Sequence, residues 1–101
     1  MKKRNHDSFK SYSLEKLKDH AFALEYLNAA LIDDDQRVFL LALKNVLEAQ
    51  GCDISSIAEY TQLSRQNLYR ILSEKGNPKL TSIRSLLHVM GLELAIQPYR
   101  K

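Results

Sequence analysis

The positions of glycine and proline constrain the fold of this chain most, because they mark where helices can end. Gly51, Gly76 and Gly91 each follow a run of apolar residues spaced three and four apart, and both prolines lie outside these runs. Glycine is common just past the end of a helix, and proline is excluded from helix interiors. The pattern predicts an all-α fold, and 101 residues suffice for one domain.

Apolar periodicity predicts five helices. Between Leu14 and Leu31 the apolar spacing fits one helix or two, with Asp19 as the cap of a helix that begins at His20. The other helices are predicted at about 35–50, with Asp33 or Asp34 as cap, and at 54–61, 64–73 and 80–90. This division assigns residues 1–18 to a basic N-terminal arm, 19–97 to the helical domain and 98–101 to a tail.

The end of the chain has a different pattern. Leu92, Leu94 and Ile96 alternate with Glu93, Ala95 and Gln97, and a period of two predicts a short C-terminal strand. A strand of this length is not stable alone, so its partner would be a second copy, another protein or a strand in the arm. The three apolar residues are also expected to form a surface without a partner in the monomer, which would serve a homodimer or another protein.

Residues 57–72 have the spacing of a helix-turn-helix. Ala58 is small where two helices would cross, and Leu63, Leu68 and Ile71 would fill the angle between them. Ser64 is expected to cap the second helix. Gln62 occupies the turn position where glycine is usual, and a left-handed backbone there would cost on the order of 1 kcal/mol. The alternative is a generic helical hairpin with a polar outer face.

The outer face of the second helix carries side chains that can read bases. Arginine bonds guanine through two hydrogen bonds, glutamine and asparagine bond adenine, and tyrosine can contact a phosphate or a thymine methyl group. Residues 60–84 also carry five cations against Glu74 alone, as a phosphate-facing surface would. The predicted DNA-binding residues are Ser64, Arg65, Gln66, Asn67, Tyr69, Arg70, Ser73, Lys75 and Lys79, with Arg84 as a further candidate for phosphate contact.

These segments together resemble the addiction module antidote proteins, which are HigA-type antitoxins of the Cro/C1-like helix-turn-helix group. The resemblance rests on residues 25–31, 39–43, 58–78 and 90–92 and covers about 19–96. It implies a five-helix DNA-binding fold, dimerisation, repression of the module's own promoter and neutralisation of a RelE-like ribonuclease toxin. Base-reading positions of the family correspond to Arg65, Gln66, Tyr69 and Arg70. No motif identifies toxin-contacting residues.

Other classes of protein are less consistent with the sequence. The consecutive Asp33, Asp34 and Asp35 are expected to cap a helix, not to bind a metal, and the three histidines lack metal-ligand spacing. With Cys52 as the single cysteine and no glycine-rich phosphate loop, we expect neither an enzyme nor a cofactor. No apolar run approaches the roughly 20 residues of a membrane span. We expect a cytoplasmic protein without an export signal.

Three hypotheses about function remain. The first is an antitoxin that also represses its own promoter. The second is a stand-alone or phage-type helix-turn-helix transcriptional regulator without a toxin partner, since the motif alone does not distinguish the two. The third is a helical interaction module that never contacts DNA.

Overall fold

The computed structural model of the chain describes residues 15–73 and 75–99. Five helices of seven residues or more run through this part: α1 (His20–Ile32), α2 (Gln36–Ala49), α3 (Ile54–Thr61), α4 (Arg65–Ile71) and α5 (Leu80–Val89). Residues 15–17 form a further helical turn before α1. The all-α prediction is confirmed, and the predicted helix boundaries agree with these to within about two residues, the usual uncertainty of a helix end.

Aspartates start three of the helices. Asp19 caps α1 as predicted, since its carboxylate accepts a hydrogen bond from the backbone N–H two residues further on at 2.9 Å. The cap of α2 is Asp35, which accepts from the N–H of Arg37 at 3.0 Å. The prediction of Asp33 or Asp34 as this cap is wrong, because α1 continues to Ile32 and only the last of the three aspartates directly precedes α2.

The apolar core lies where α1 packs on α2 and where α3 packs on both α4 and α5. Leu17, within the predicted N-terminal arm, is fully buried in this core, and the Gln50 side chain donates to its carbonyl at 2.7 Å. The segment before α1 is thereby attached to the end of α2. The buried apolar residues are Leu17, Ala23, Leu27, Ala30, Phe39, Leu40, Ala42, Leu43, Val46, Leu47, Ile57, Leu68, Ile71, Leu86, Leu87 and Met90.

Two different reasons explain the glycines after helices. Gly51 has φ +78°, a left-handed conformation that glycine adopts without steric cost. Gly76 is buried and has no such requirement, but a Cβ atom there would overlap the carbonyl oxygens of Arg70 and Ile71. The chain after α4 therefore passes directly against the end of that helix, and only glycine fits this approach.

The predicted C-terminal strand is not formed, since residues 92–99 have no regular secondary structure. No strand lies among the described residues to pair with it, and an unpaired strand leaves its backbone groups unsatisfied. Leu92 and Leu94 instead pack half-buried against the core, whereas Ile96 is 100% exposed. The expectation that all three residues lack a partner within the monomer is therefore wrong for the first two.

The ion pairs of the structure lie at its surface. Lys18 and Glu15 are 3.3 Å apart and Arg37 and Asp35 are 2.8 Å apart, and all four side chains are largely exposed. Exposed pairs of this kind contribute little to folding, so the apolar core is the main source of stability. Every helix among the described residues is too short or too polar to cross a bilayer.

Candidate nucleic-acid interface

Two side-chain hydrogen bonds hold the three-residue connection between α3 and α4. Gln62 has φ 67° and ψ 15°, the left-handed conformation foreseen for this position. Its side-chain amide donates to the carbonyl of Glu59 at 2.9 Å, and the hydroxyl of Thr61 accepts from the N–H of Leu63 at 3.2 Å. These hydrogen bonds hold the turn at the position where a helix-turn-helix usually has glycine. The strained conformation of Gln62 is therefore stabilised by its own side chain and by the side chain of Thr61 before it.

The first residue of α4 and the face that it turns toward the core are both fixed by contacts. Ser64 caps the helix as predicted, since its hydroxyl accepts from the N–H of Asn67 at 3.0 Å. Leu68 and Ile71 are buried and Leu72 is half-buried against the core. Because the inner face is anchored in this way, the rotation of α4 about its own axis is set.

The outer face of α4 presents the predicted base-reading side chains. Gln66, Tyr69 and Arg70 are exposed, and Asn67 is half-buried beside them. The guanidinium of Arg70 donates to the side-chain oxygen of Asn67 at 2.9 Å. The two polar side chains therefore form one hydrogen-bonded unit, and the remaining N–H groups of the guanidinium are available to another acceptor.

Arg65 is the first residue of α4 and is hydrogen-bonded to α3. Its guanidinium donates to the hydroxyl of Ser55, in the first turn of α3, at 2.8 Å. This bond joins the starts of the two helices. Ser55 was missed by the sequence analysis, although a serine just after Asp53, at the start of a predicted helix, could have drawn attention to it.

Asp53 lies at the same end of α3. Its carboxylate caps the helix by accepting from the N–H of Ser56 at 2.8 Å, and this bond holds the pKa of Asp53 below its ordinary value. The charge of Arg65 lowers that pKa further. The Asp53 carboxylate and the Arg65 guanidinium are thus electrostatic neighbours, while guanidinium donors remain for an anion such as a phosphate.

The other predicted residues follow α4. Ser73 is exposed, but its hydroxyl donates to the carbonyl of Arg70 at 2.8 Å and so satisfies a carbonyl in the last turn of α4. Lys75 and Lys79 are exposed in the connection to α5, and Arg84 is exposed on α5. The structure therefore brings Gln66, Asn67, Tyr69 and Arg70 together on α4, with Ser64 as its cap, and places the two lysines on the segment that follows the helix.

Groups typical of metal binding do not converge in the described part of the chain. No three residues among its histidines, cysteines, aspartates and glutamates are arranged to hold a metal ion. Cys52 is half-buried, and burial raises the pKa of its thiol, which disfavours the reactive thiolate. The features that stand out are polar side chains on one helix and cations beside it.

The described residues form a small helical protein. The chain belongs to the family of probable addiction module antidote proteins, whose family profile matches residues 8–98. An uncharacterised protein of Haemophilus influenzae strain Rd is 32% identical over 75 residues, which cover 74% of this chain and 75% of that relative. No solved structure matches the chain.

Membership of this family confirms the resemblance to the antidote proteins. It suggests an antitoxin, a non-enzymatic regulatory protein with a cognate toxin as partner. The match also begins at residue 8, whereas the resemblance in the sequence was expected to begin at about Asp19.

Proposed function

We propose that the protein is a HigA-type antitoxin of a type II module that neutralises a RelE-like ribonuclease toxin and represses its own promoter. In this proposal α3 and α4 form a Cro/C1-like helix-turn-helix that binds double-stranded operator DNA. The observation that carries the DNA-binding part is the exposed set Gln66, Tyr69 and Arg70 on a helix whose start and inner face are fixed. Side chains held in this way are suited to reading base edges.

The dimensions of α4 support entry into the major groove. An α-helix with its side chains is about 10–12 Å in diameter, and the major groove is about 12 Å wide, so an exposed helix such as α4 can enter it. Arg70 would bond guanine and Gln66 adenine, while Asn67 either holds Arg70 or bonds a base itself. These contacts would supply sequence specificity.

Cations and hydroxyls around α4 would supply the sequence-independent contacts. Lys75 and Lys79 follow the helix, and Ser64 and Arg65 lie at its start. Because Arg65 is bonded to Ser55 of α3, it is better placed to bond a phosphate than a base. Ser73 would contribute only as an acceptor, since its hydroxyl proton is engaged by the Arg70 carbonyl. Such contacts orient a protein on DNA without specifying the sequence.

A homodimer would be the DNA-binding unit. One seven-residue helix reads only a few base pairs, whereas two copies read half-sites about 34 to 36 Å apart. Light scattering combined with footprinting tests this proposal, and a monomer that protects a single half-site would contradict it. No cofactor enters this proposal, and the function would be exercised in the cytoplasm.

Two experiments test the proposed function. The first coexpresses the full chain with the product of the adjacent reading frame and asks whether the two copurify and whether growth arrest by that product is relieved. The second measures binding of the purified chain to its own promoter fragment and to a shuffled fragment of equal length. Promoter binding without any partner would favour the stand-alone regulator, and loss of both activities would contradict the proposal.

A further inference from the structure

A second surface of the molecule lies outside the proposed DNA interface. It consists of two adjoining depressions of about 670 and 300 Å³, which share Leu31, Phe39 and Leu94. The larger runs between α1 and the segment after α5, and the smaller reaches the connection from α1 to α2 and the start of α5. We call the combined surface the acidic groove.

The walls of the acidic groove are apolar and exposed. Ile32 is 76% exposed, Leu80 is 62% exposed and Ile96 is 100% exposed, with Leu24 and Leu31 about half exposed between them. Scattered single apolar residues are ordinary on a surface, but several that line one depression indicate a binding surface.

The charged side chains that line the groove are all carboxylates, namely Asp33, Asp34 and Glu93. Asp33 accepts a hydrogen bond from the N–H of Asp35 at 2.8 Å, while Asp34 and Glu93 have no ion pair among the described residues. Half of the residues that line the groove also belong to the acidic part of the sequence, since residues 21–50 carry five carboxylates and two cations. A groove with apolar walls and carboxylates as its charged residues fits a positively charged partner.

Charge complementarity disfavours two other occupants of the acidic groove, nucleic acid and a second copy that meets it groove to groove. Nucleic acid would place phosphates against the three carboxylates, which is repulsive. A second copy that met the groove with its own groove, across a two-fold axis, would place the carboxylates against their own counterparts. Like charges that meet across an interface cost affinity.

We infer that the acidic groove is the docking surface for a cationic segment of the cognate toxin that has one apolar face. This inference rests on the proposed antitoxin function. A ribonuclease binds a polyanion and therefore carries a cationic surface. The apolar face of the segment would cover Ile32 and Ile96, and its lysines or arginines would lie beside Asp34 and Glu93.

Site-specific photo-crosslinking identifies the occupant. The full chain carries Ile32→p-benzoyl-phenylalanine and is coexpressed with the product of the adjacent reading frame. Tyr60 on α3, which is 63% exposed and lies outside the groove, receives the same replacement as a matched control. We expect a product with the combined mass of the two proteins from the Ile32 variant and little of it from the Tyr60 variant.

The other outcomes each overturn the inference. A product of twice the chain mass would mean that a second copy fills the groove, and an internal cross-link to residues 1–14 would mean that the chain's own basic arm does. Absence of a cross-link although the unmodified chains copurify would place the toxin elsewhere and leave the proposed function intact. If the unmodified chains do not copurify, the antitoxin function itself fails and the inference fails with it.

Charge neutralisation gives an independent measurement. The double variant Asp34→Asn, Glu93→Gln removes the two rim charges without disturbing the hydrogen bond of Asp33. We expect it to weaken binding to the copurified partner about 2- to 30-fold, through a slower association rate that approaches the unmodified rate at high salt.

The control for this variant is Glu48→Gln, Glu59→Gln, which removes two exposed carboxylates outside the groove. We expect it to change the affinity less than twofold, while circular dichroism shows that both double variants are folded. Equal losses in the two double variants would overturn the inference.

Discussion

Replacing Arg70 with alanine tests base reading by α4. The side chain is exposed, and its hydrogen bond to Asn67 is an exposed pair three residues apart on one helix. Such a pair stabilises a helix by about 0.2–0.5 kcal/mol, whereas a two-bond contact with guanine discriminates by about 1–3 kcal/mol. The substitution should therefore weaken promoter binding about 5- to 160-fold and leave the free energy of unfolding nearly unchanged.

Two further variants separate charge from geometry. Arg70→Lys keeps the positive charge but loses the planar pair of donors, so it should retain binding to shuffled DNA and lose preference for the promoter. Arg84→Ala removes an exposed arginine on α5 and serves as the control for the loss of one cation. Whether or not Arg84 contacts a phosphate, this variant should leave the ratio of the two affinities unchanged.

The assay is fluorescence anisotropy with the promoter fragment and a shuffled fragment of equal length, at several salt concentrations. Base reading predicts that Arg70→Ala reduces the ratio of the two affinities. An equal loss on both fragments would show that Arg70 contacts only phosphate, and an unchanged affinity for both would remove it from the interface.

Three more predictions concern charge, packing and pH. If Lys75, Lys79 or Arg84 contacts a phosphate, its replacement by glutamine should make the plot of log binding constant against log salt concentration less steep by about one unit. Unchanged slopes for all three variants would exclude these residues from the interface. Gly76→Ala should lower the free energy of unfolding, measured by urea denaturation, by about 1–3 kcal/mol, because the added Cβ atom would overlap backbone carbonyls at the end of α4. Equal stability of the variant and the unmodified chain would contradict the close approach of Gly76 to these carbonyls. Asp53→Asn should reduce stability above about pH 4, because the lowered pKa of Asp53 confers stability that is present above the ordinary pKa of the carboxyl group. The difference should disappear as the pH falls through the pKa of Asp53 in the folded state. A pH-independent difference in thermal midpoint would contradict this.

The helices could be predicted because each has local signals. Apolar spacing, the aspartate before α1 and the glycines after helices are properties of neighbouring residues, and they placed the helix boundaries closely. The cap of α2 was misplaced because Asp33, Asp34 and Asp35 are chemically equivalent. Only the length of α1, which packing against α2 determines, decides which of the three directly precedes the next helix.

The features that depend on distant contacts were not predictable in this way. Alternating apolar residues after α5 suggested a strand, but the core takes up Leu92 and Leu94 and leaves no strand to pair with them. The bond between Arg65 and Ser55 spans the turn and depends on how α3 and α4 meet. The acidic groove joins residues from both halves of the sequence, so periodicity within one helix could not indicate it.

The exposed ion pairs have a practical consequence for experiments on this protein. Because Lys18–Glu15 and Arg37–Asp35 lie at the surface, added salt screens interactions that contribute little to folding. Association with DNA or with a cationic partner depends much more strongly on ionic strength. Raising the salt concentration should therefore dissociate the proposed complexes with DNA and with a cationic partner long before it unfolds the chain, which makes salt elution a gentle way to recover the protein in native form.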